Sequence, residues 1–241
     1  MAANDNIQDA ADRVRRTHEP YAKKNPNKIE YQTEKELRPP FPEDNIMRWY
    51  TDEEKISFIK EDLKMSESKA EDMLSSIKEW SGGYQKLMKK VSNGEDVSKE
   101  LRGNVTQTEV KHHVDNVEYL IDKSKKYKGI TYRGMIIEKK DMEKFKVGEL
   151  IPTRGLSSWS TDKEIAIDFA KNAVFANSVL VVCKTKQPKG AVIQHISSIP
   201  REREVVCSAK SKWKITAIKE EKITIRYGVE QNFKVIEVEP V

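Results

Sequence analysis

The chain has 241 residues, 37% hydrophobic and 34% charged, which gives room for one large domain or two small ones and too much apolar content for full disorder. Lys and Arg number 44 against 39 Asp and Glu, a formal charge of +5. The two signs alternate through stretches such as 53–64 and 218–226, the pattern of a solvated mixed surface and not of a basic nucleic-acid stripe, and no apolar run approaches the roughly 20 residues of a membrane-crossing helix.

Residues 1–49 hold Pro20, Pro26, Pro39, Pro40 and Pro42 among many charges, which reads as a flexible arm or linker with a short helix near Asp9 to Arg16. The sequence MAANDNIQDAADRVRR at its start lacks the apolar segment of a secretory signal. One domain is expected over 50–241, with a helical lobe at 50–128 and a β core at 129–241. Thr51 with Glu54 three residues on forms a capping-box signature, and Ile56, Ile59 and Leu63 follow at helical spacing. A second helix carries Ala70, Met73, Leu74, Ile77 and Trp80 and stops at Gly82 and Gly83. A third runs from Tyr84 to the Asn93–Gly94 turn, and a fourth from about Thr108 to Tyr127.

After Gly129 the apolar period changes from 3.6 to 2. Strands are predicted at Ile130–Ile137, Ser178–Lys184, Ala191–His195, Glu204–Ser208, Trp213–Glu220, Ile223–Tyr227 and Phe233–Val238, with one helix at about Asp162–Asn172 whose inner side is Ile165, Ala166, Phe169 and Ala170. This alternation describes an α+β protein with a mixed, mainly antiparallel sheet. The two cysteines, Cys183 and Cys207, lie in apolar β-type runs, so no disulfide framework is expected and a reducing cytoplasm fits best. The four histidines have no metal-ligand spacing, and no metal is expected. His112 and His113 read as structural, Trp213 and Phe233 as core.

Three places carry chemistry. Tyr132, Arg133 and Gly134 put a fork of donors suited to phosphate next to a glycine that lets another group come close to the backbone. Ser158 and Ser160 alternate in an extended segment, where both face one side, just before a helix that Thr161 or Asp162 can cap. Glu202 and Glu204 would project from one face if 201–204 is extended at the head of a buried strand. Each alone is ordinary; their order is not.

That order resembles the Arg-Ser-Glu class of mono-ADP-ribosyltransferases, of the Glu-x-Glu type found among bacterial toxins and phage enzymes. Tyr132-Arg133-Gly134 is similar to the family's aromatic-Arg-Gly, and Ser158-Trp159-Ser160 to its Ser-Thr-Ser. Ala166-Ile167-Asp168-Phe169 is similar to its Ala-x-x-Phe, and 199–205 to its catalytic loop and strand. Trp80 to Tyr84 resembles the motif on its leading helices, although Met88 and Ser92 stand where the family often has Asn and Arg, leaving those contacts missing or supplied by Lys89, Lys90 or Arg102.

The resemblance implies a helical lobe packed on a β-sandwich core and NAD as substrate without a metal. It makes Glu204 the anion facing the oxocarbenium-like ribose, with Ser158 orienting it. Arg133 would hold the diphosphate, and the backbone of Gly134 the nicotinamide amide. Phe169 would stack on the ring, and Ser160 and Tyr84 would complete the NAD site, Tyr84 being as readily a helix-packing aromatic. Glu202 would take the proton of an attacking arginine on a target protein. Such an enzyme would act in the cytoplasm of its producer or of a cell reached by infection or contact-dependent delivery. An NAD glycohydrolase with the same site, and a non-enzymatic virion or nucleic-acid-associated module, are the other readings.

Overall fold

A computed structural model describes residues 49–151, 155–171, 178–186, 188–224 and 230–241. The arm expected over 1–49 therefore lies outside the described residues except for Trp49, as does part of the strand expected at Ile223–Tyr227. Helix α1 (Asp52–Leu63) opens with the capping box: Thr51 accepts from the Glu54 N–H, and Glu54 accepts from the Thr51 N–H at 2.8 Å. Helices α2 (Glu67–Ser81), α3 (Gln85–Ser92) and α4 (Gln107–Lys123) follow, with Gly82 ending α2. The fourth helix ends four residues before the expected Tyr127, at Lys123, because the chain then bridges to Ala191 through Lys126 and Tyr127 donates to the Gly190 carbonyl.

Strand β1 (Ile130–Glu138) leads through a single turn of helix, α5 (Lys139–Met142), to β2 (Ser157–Ser160) and α6 (Lys163–Lys171). Then come β3 (Ser178–Lys186), β4 (Ala191–Val192), a 3-10 turn (Pro200–Glu202), β5 (Glu204–Cys207), β6 (Trp213–Thr224) and β7 (Glu230–Pro240). Among the described residues seven strands join one hydrogen-bonded order, β4-β5-β2-β1-β3-β7-β6, antiparallel except for β3 with β7. The two strands expected at 213–220 and from 223 are one, bent by an irregularity at Ile215/Ala217. The strand expected at Ala191–His195 stops at Val192, since Ile196 and Ser197 both donate to the Ile193 carbonyl and turn the chain.

Strand β5 is buried on both faces. Val206 packs with Trp80, Ile77, Met88, Val117 and Leu156 in a core shared with the helices, whereas Val205 and Cys207 join Trp159, Trp213, Cys183 and Ile236 in a second core beneath the sheet. Period-2 alternation thus sends Glu204, two residues before Val206, toward the helices. Helix α6 lies on β1: a Cβ on Gly134 would stand 1.7 Å from the Ala166 carbonyl oxygen and 2.7 Å from the Ala170 nitrogen. So close an approach leaves room only for Ala166, Ile167 and Ala170 on the inner side and turns Phe169 outward, 45% exposed, contrary to the expected inner face. Both cysteines are free and buried, and Trp213 and Phe233 are core.

Candidate active site

Glu204 begins β5 and is 1% exposed. Its Oε1 accepts from Trp80 Nε1 at 2.7 Å across 124 residues of sequence, while Oε2 is buried with no hydrogen-bond partner. Burial pushes this carboxyl up; the nearby Ser158 hydroxyl, the Trp80 N–H and the Lys89 ammonium oppose that. In the β2–β5 register Ser158 pairs with Val206 and Ser160 with Glu204, so both hydroxyls start on the face that Glu204 occupies.

Glu202 is not on a strand. Pro200 starts a 3-10 turn, and Arg203 takes φ 49°, the left-handed conformation, before β5 begins. The condition of an extended 201–204 is therefore not met, and Glu-x-Glu is a tight turn followed by a strand. It is clamped by Ser160 Oγ donating to the Glu202 carbonyl at 2.8 Å and by Thr161 N–H donating to the Arg203 carbonyl at 3.1 Å. Ser160 also accepts from the Asp162 N–H, and Asp162, not Thr161, caps α6 through the Glu164 N–H. The turn still brings the two carboxylates together. The Glu202 carboxyl is pushed well up, first by burial and then by the charge of Glu204, while Lys89 pulls it down.

The loop before this turn is tied to the helices. Lys55 Nζ donates to the Ser197 carbonyl at 3.2 Å, and the Ser81 and Ser197 hydroxyls meet at 3.0 Å. Gly155, at φ +68°, brings the lead-in of β2 onto α3, where a Cβ would stand 2.0 Å from the Lys89 carbonyl oxygen, and Leu156 N–H donates to Ser92 Oγ. Met88 is core. These contacts hold Lys89 over the Trp80 ring, Nζ 5.5 Å from its centroid.

Arg133 pairs with Cys183, and its guanidinium lies among the Cys183 and Cys207 thiols and within the field of Lys89, with Nη1 buried and unpartnered. Among the described residues no ion pair joins it to Glu202 or Glu204. The close approach that Gly134 permits is that of α6, not of a free group, and its neighbour across the ladder is Val182. Tyr84 packs against the helical core, its hydroxyl pushed up by burial and by Glu79 and Glu109. A separate cavity of about 120 Å³, lined by Ile59, Asp62, Lys126, Val192 and His195, contains neither carboxylate.

The site thus holds two carboxyls raised by burial beside one ammonium, that of Lys89, which lowers both. Trp80 escaped the sequence reading as the partner of Glu204, because it closes an apolar stripe and looks like core, which it also is, and Lys89 was named there only as one of three residues that could supply NAD contacts. Replacing Trp80 by Phe removes the donor and keeps the packing. A hydrogen bond to a buried charge contributes about 1.5–3 kcal/mol, so the Glu204 carboxyl should titrate about one to two units higher in Trp80→Phe, read by carboxyl carbon NMR. An unmoved titration would mean that the 2.7 Å contact does not act on the charge.

No protein-family model matches the chain, and no curated protein does. Solved structures do match. Vis, an ADP-ribosyltransferase toxin from Vibrio splendidus solved in complex with agmatine, superposes at a TM-score of 0.58 with 21% identity over 85% of this chain and 88% of that one. The chain has the ADP-ribosyltransferase fold. BECa, the ADP-ribosylating component of a binary enterotoxin of C. perfringens, solved with NADH, superposes at 0.53 with 18% identity over 79% of this chain and 46% of that one. The type III effector XopAI of Xanthomonas axonopodis pv. citri does so at 0.50 with 14% identity, over 78% and 76%.

Proposed function

We propose that the chain is an NAD-dependent mono-ADP-ribosyltransferase of the Arg-Ser-Glu class that moves ADP-ribose to an arginine side chain of a target protein and releases nicotinamide. The observation that carries this reading is the buried carboxylate pair. Glu204 is fixed by Trp80 with one oxygen unpartnered, and the Glu202 carboxyl, on a clamped turn beside it, is pushed up by burial and by the charge of Glu204. Cleavage of the ribose–nicotinamide bond sends the electron pair out with nicotinamide and leaves positive charge on the ribose, and a fixed buried anion stabilises that charge. The unpartnered Oε2 of Glu204 suits the ribose hydroxyl. Arg133, through its unpartnered Nη1, would hold the diphosphate, Ser158 would steady Glu204, and the outward ring of Phe169 would stack on nicotinamide.

A guanidinium has a pKa above about 12 and must lose a proton as it attacks the ribose carbon, and Glu202 would accept that proton. The agmatine complex of Vis supports a guanidinium acceptor, agmatine being a guanidinium compound.

The test follows nicotinamide release and ADP-ribosyl-agmatine together. Hydrolysis needs only Glu204 ionised, whereas transfer also needs Glu202 ionised, and the charge of Glu204 raises Glu202, so transfer should switch on at higher pH than hydrolysis. Glu202→Gln should keep hydrolysis within a few-fold and lower transfer by about 10²–10⁴-fold. Coincident acid limbs, or a Glu202→Gln variant that transfers normally, would remove Glu202 from the proposal, and nicotinamide release with no labelled agmatine or protein would make water the acceptor.

A further inference from the structure

The two carboxylates are held from different places. Glu204 is fixed by the β2–β5 ladder and by Trp80, whereas Glu202 sits on a 3-10 turn outside any strand. A turn defined only by its own short hydrogen bonds can tilt, and the carboxyl it carries tilts with it. Here the lead-in to the turn is tied to the helices at Ser197, a residue with no exposed surface. The Ser197 hydroxyl meets that of Ser81 at 3.0 Å across 116 residues of sequence, and the Ser197 carbonyl accepts from Lys55 Nζ at 3.2 Å across 142. From there the bonds run on into the turn. Ile199 N–H donates to Ser197 Oγ at 3.0 Å, and Glu202 N–H donates to the Ile199 carbonyl at 3.1 Å. The Glu202 carbonyl accepts from Ser160 on β2. Both backbone groups of Glu202 are therefore anchored, the carbonyl to the sheet and the N–H, through Ile199 and Ser197, to α1 and α2.

We infer that Lys55, Ser81 and Ser197 are positioning residues: they pin the turn to the helices, set where the Glu202 carboxyl stands, and so govern transfer to an acceptor more than cleavage of NAD. The consequence for transfer rests on the transferase reading, whereas the pin is a property of the free protein. Two further observations favour positioning over simple packing. Lys55 is 5% exposed, and among the described residues its ammonium donates to the Ser197 carbonyl alone. An ammonium buried for one carbonyl acceptor is a poor stabiliser, because an apolar side chain of similar length avoids the desolvation, but it fixes one backbone atom at a definite place. Ser81 is the last residue of α2 and follows Trp80, so the same helix end holds Glu204 through the indole and Ser197 through the hydroxyl. The separation of the two carboxylates is thereby referred to one helix end.

The test compares the full-length parent with Ser197→Ala, Ser81→Ala and Lys55→Met. Amide hydrogen exchange without NAD, followed by NMR, reads the pin directly, and the informative amide is that of Glu202, whose own acceptor none of the substitutions touches. Its exchange should speed up by about tenfold or more while the amides of β5 keep their protection. If Ser197→Ala fails to fold, Lys55→Met, which removes a buried charge and keeps an unbranched stem, decides the same point. Unchanged exchange at Glu202 in the folded variants would overturn the inference, whatever the enzymology.

Activity reads the consequence, with nicotinamide release into water and ADP-ribosyl-agmatine followed on the same sample. The kcat of transfer should fall by about tenfold or more, since misplacing a reacting group by about 1 Å can cost on the order of 10²-fold. Hydrolysis and the KM for NAD should both stay within about threefold of the parent, the pattern of a lost transition-state interaction and not of lost substrate binding. Equal loss of hydrolysis and transfer would make the three residues structural only and overturn the inference, as would transfer at the parental rate. Should the parent label no acceptor at all, the transferase reading falls and the consequence for transfer with it, and exchange at Glu202 still decides the pin.

Discussion

Glu204→Gln is expected to fold like the parent and to lose both nicotinamide release and transfer by at least about 10²–10³-fold, the loss typical when one preorganised electrostatic stabiliser is removed from a developing charge. The amide is nearly isosteric, and its oxygen can still accept from Trp80 Nε1, so the 2.7 Å contact between lobe and sheet survives. What disappears is the anion. Because both reactions cross the same ribose cation, both must fall together, unlike in Glu202→Gln, where they separate.

The stability of the same variant gives an independent reading. The folded-state pKa of Glu204 is raised by burial, so the folded protein binds a proton more tightly than the unfolded chain there, and parent stability falls as pH rises from the ordinary carboxylate range toward neutrality. Glu204→Gln has no such term. It should melt at or above the parent at about pH 7, and the difference should shrink as pH is lowered toward about 4. Label incorporation and nicotinamide release from NAD, with thermal melts at both pH values, check the two halves. A residual rate within tenfold of the parent would move the anion elsewhere.

What the sequence made legible was mostly local chemistry. The Thr51–Glu54 capping box, the apolar stripe through Ile77 and Trp80, and the alternation along β1 and β7 each draw on neighbours a few residues away, and the structure has them. The ADP-ribosyltransferase fold came from the order of three motifs, none informative alone. The parts that escaped depend on contacts across the chain. The Trp80 N–H finds its acceptor 124 residues on, and no periodicity marks that. Glu202 and Glu204 could share a face only if 201–204 were extended, but Pro200 starts a turn, and the Ser160 and Thr161 clamps stabilise it with Arg203 in a left-handed conformation. At Gly134 the need for a close approach was legible and the approaching group was not.

That glycine carries the second large effect. Gly134→Ala is expected to destabilise the protein by about 3 kcal/mol or more, the upper end of what overpacking costs, lowering Tm by roughly 6–12 °C for a chain of this size. The new methyl carbon would stand 1.7 Å from the Ala166 carbonyl oxygen and 2.7 Å from the Ala170 nitrogen. Both are backbone atoms of α6, so no rotamer change relieves the clash. β1 cannot retreat either, being paired along nine residues with β3 and at Tyr132 with β2. Helix α6 must therefore lift off the sheet. Since it begins at the Asp162 cap beside Arg203 and carries Phe169, its displacement should also lower activity, the two losses appearing together. Gly94→Ala is the control. Gly94 has φ +82° and nothing within 4 Å of its added carbon, so only the conformational penalty of about 1–2 kcal/mol applies there. If the two variants melted alike, α6 would not lie against β1 as described, and the glycine in Tyr132-Arg133-Gly134 would be free for the close approach of a ligand instead.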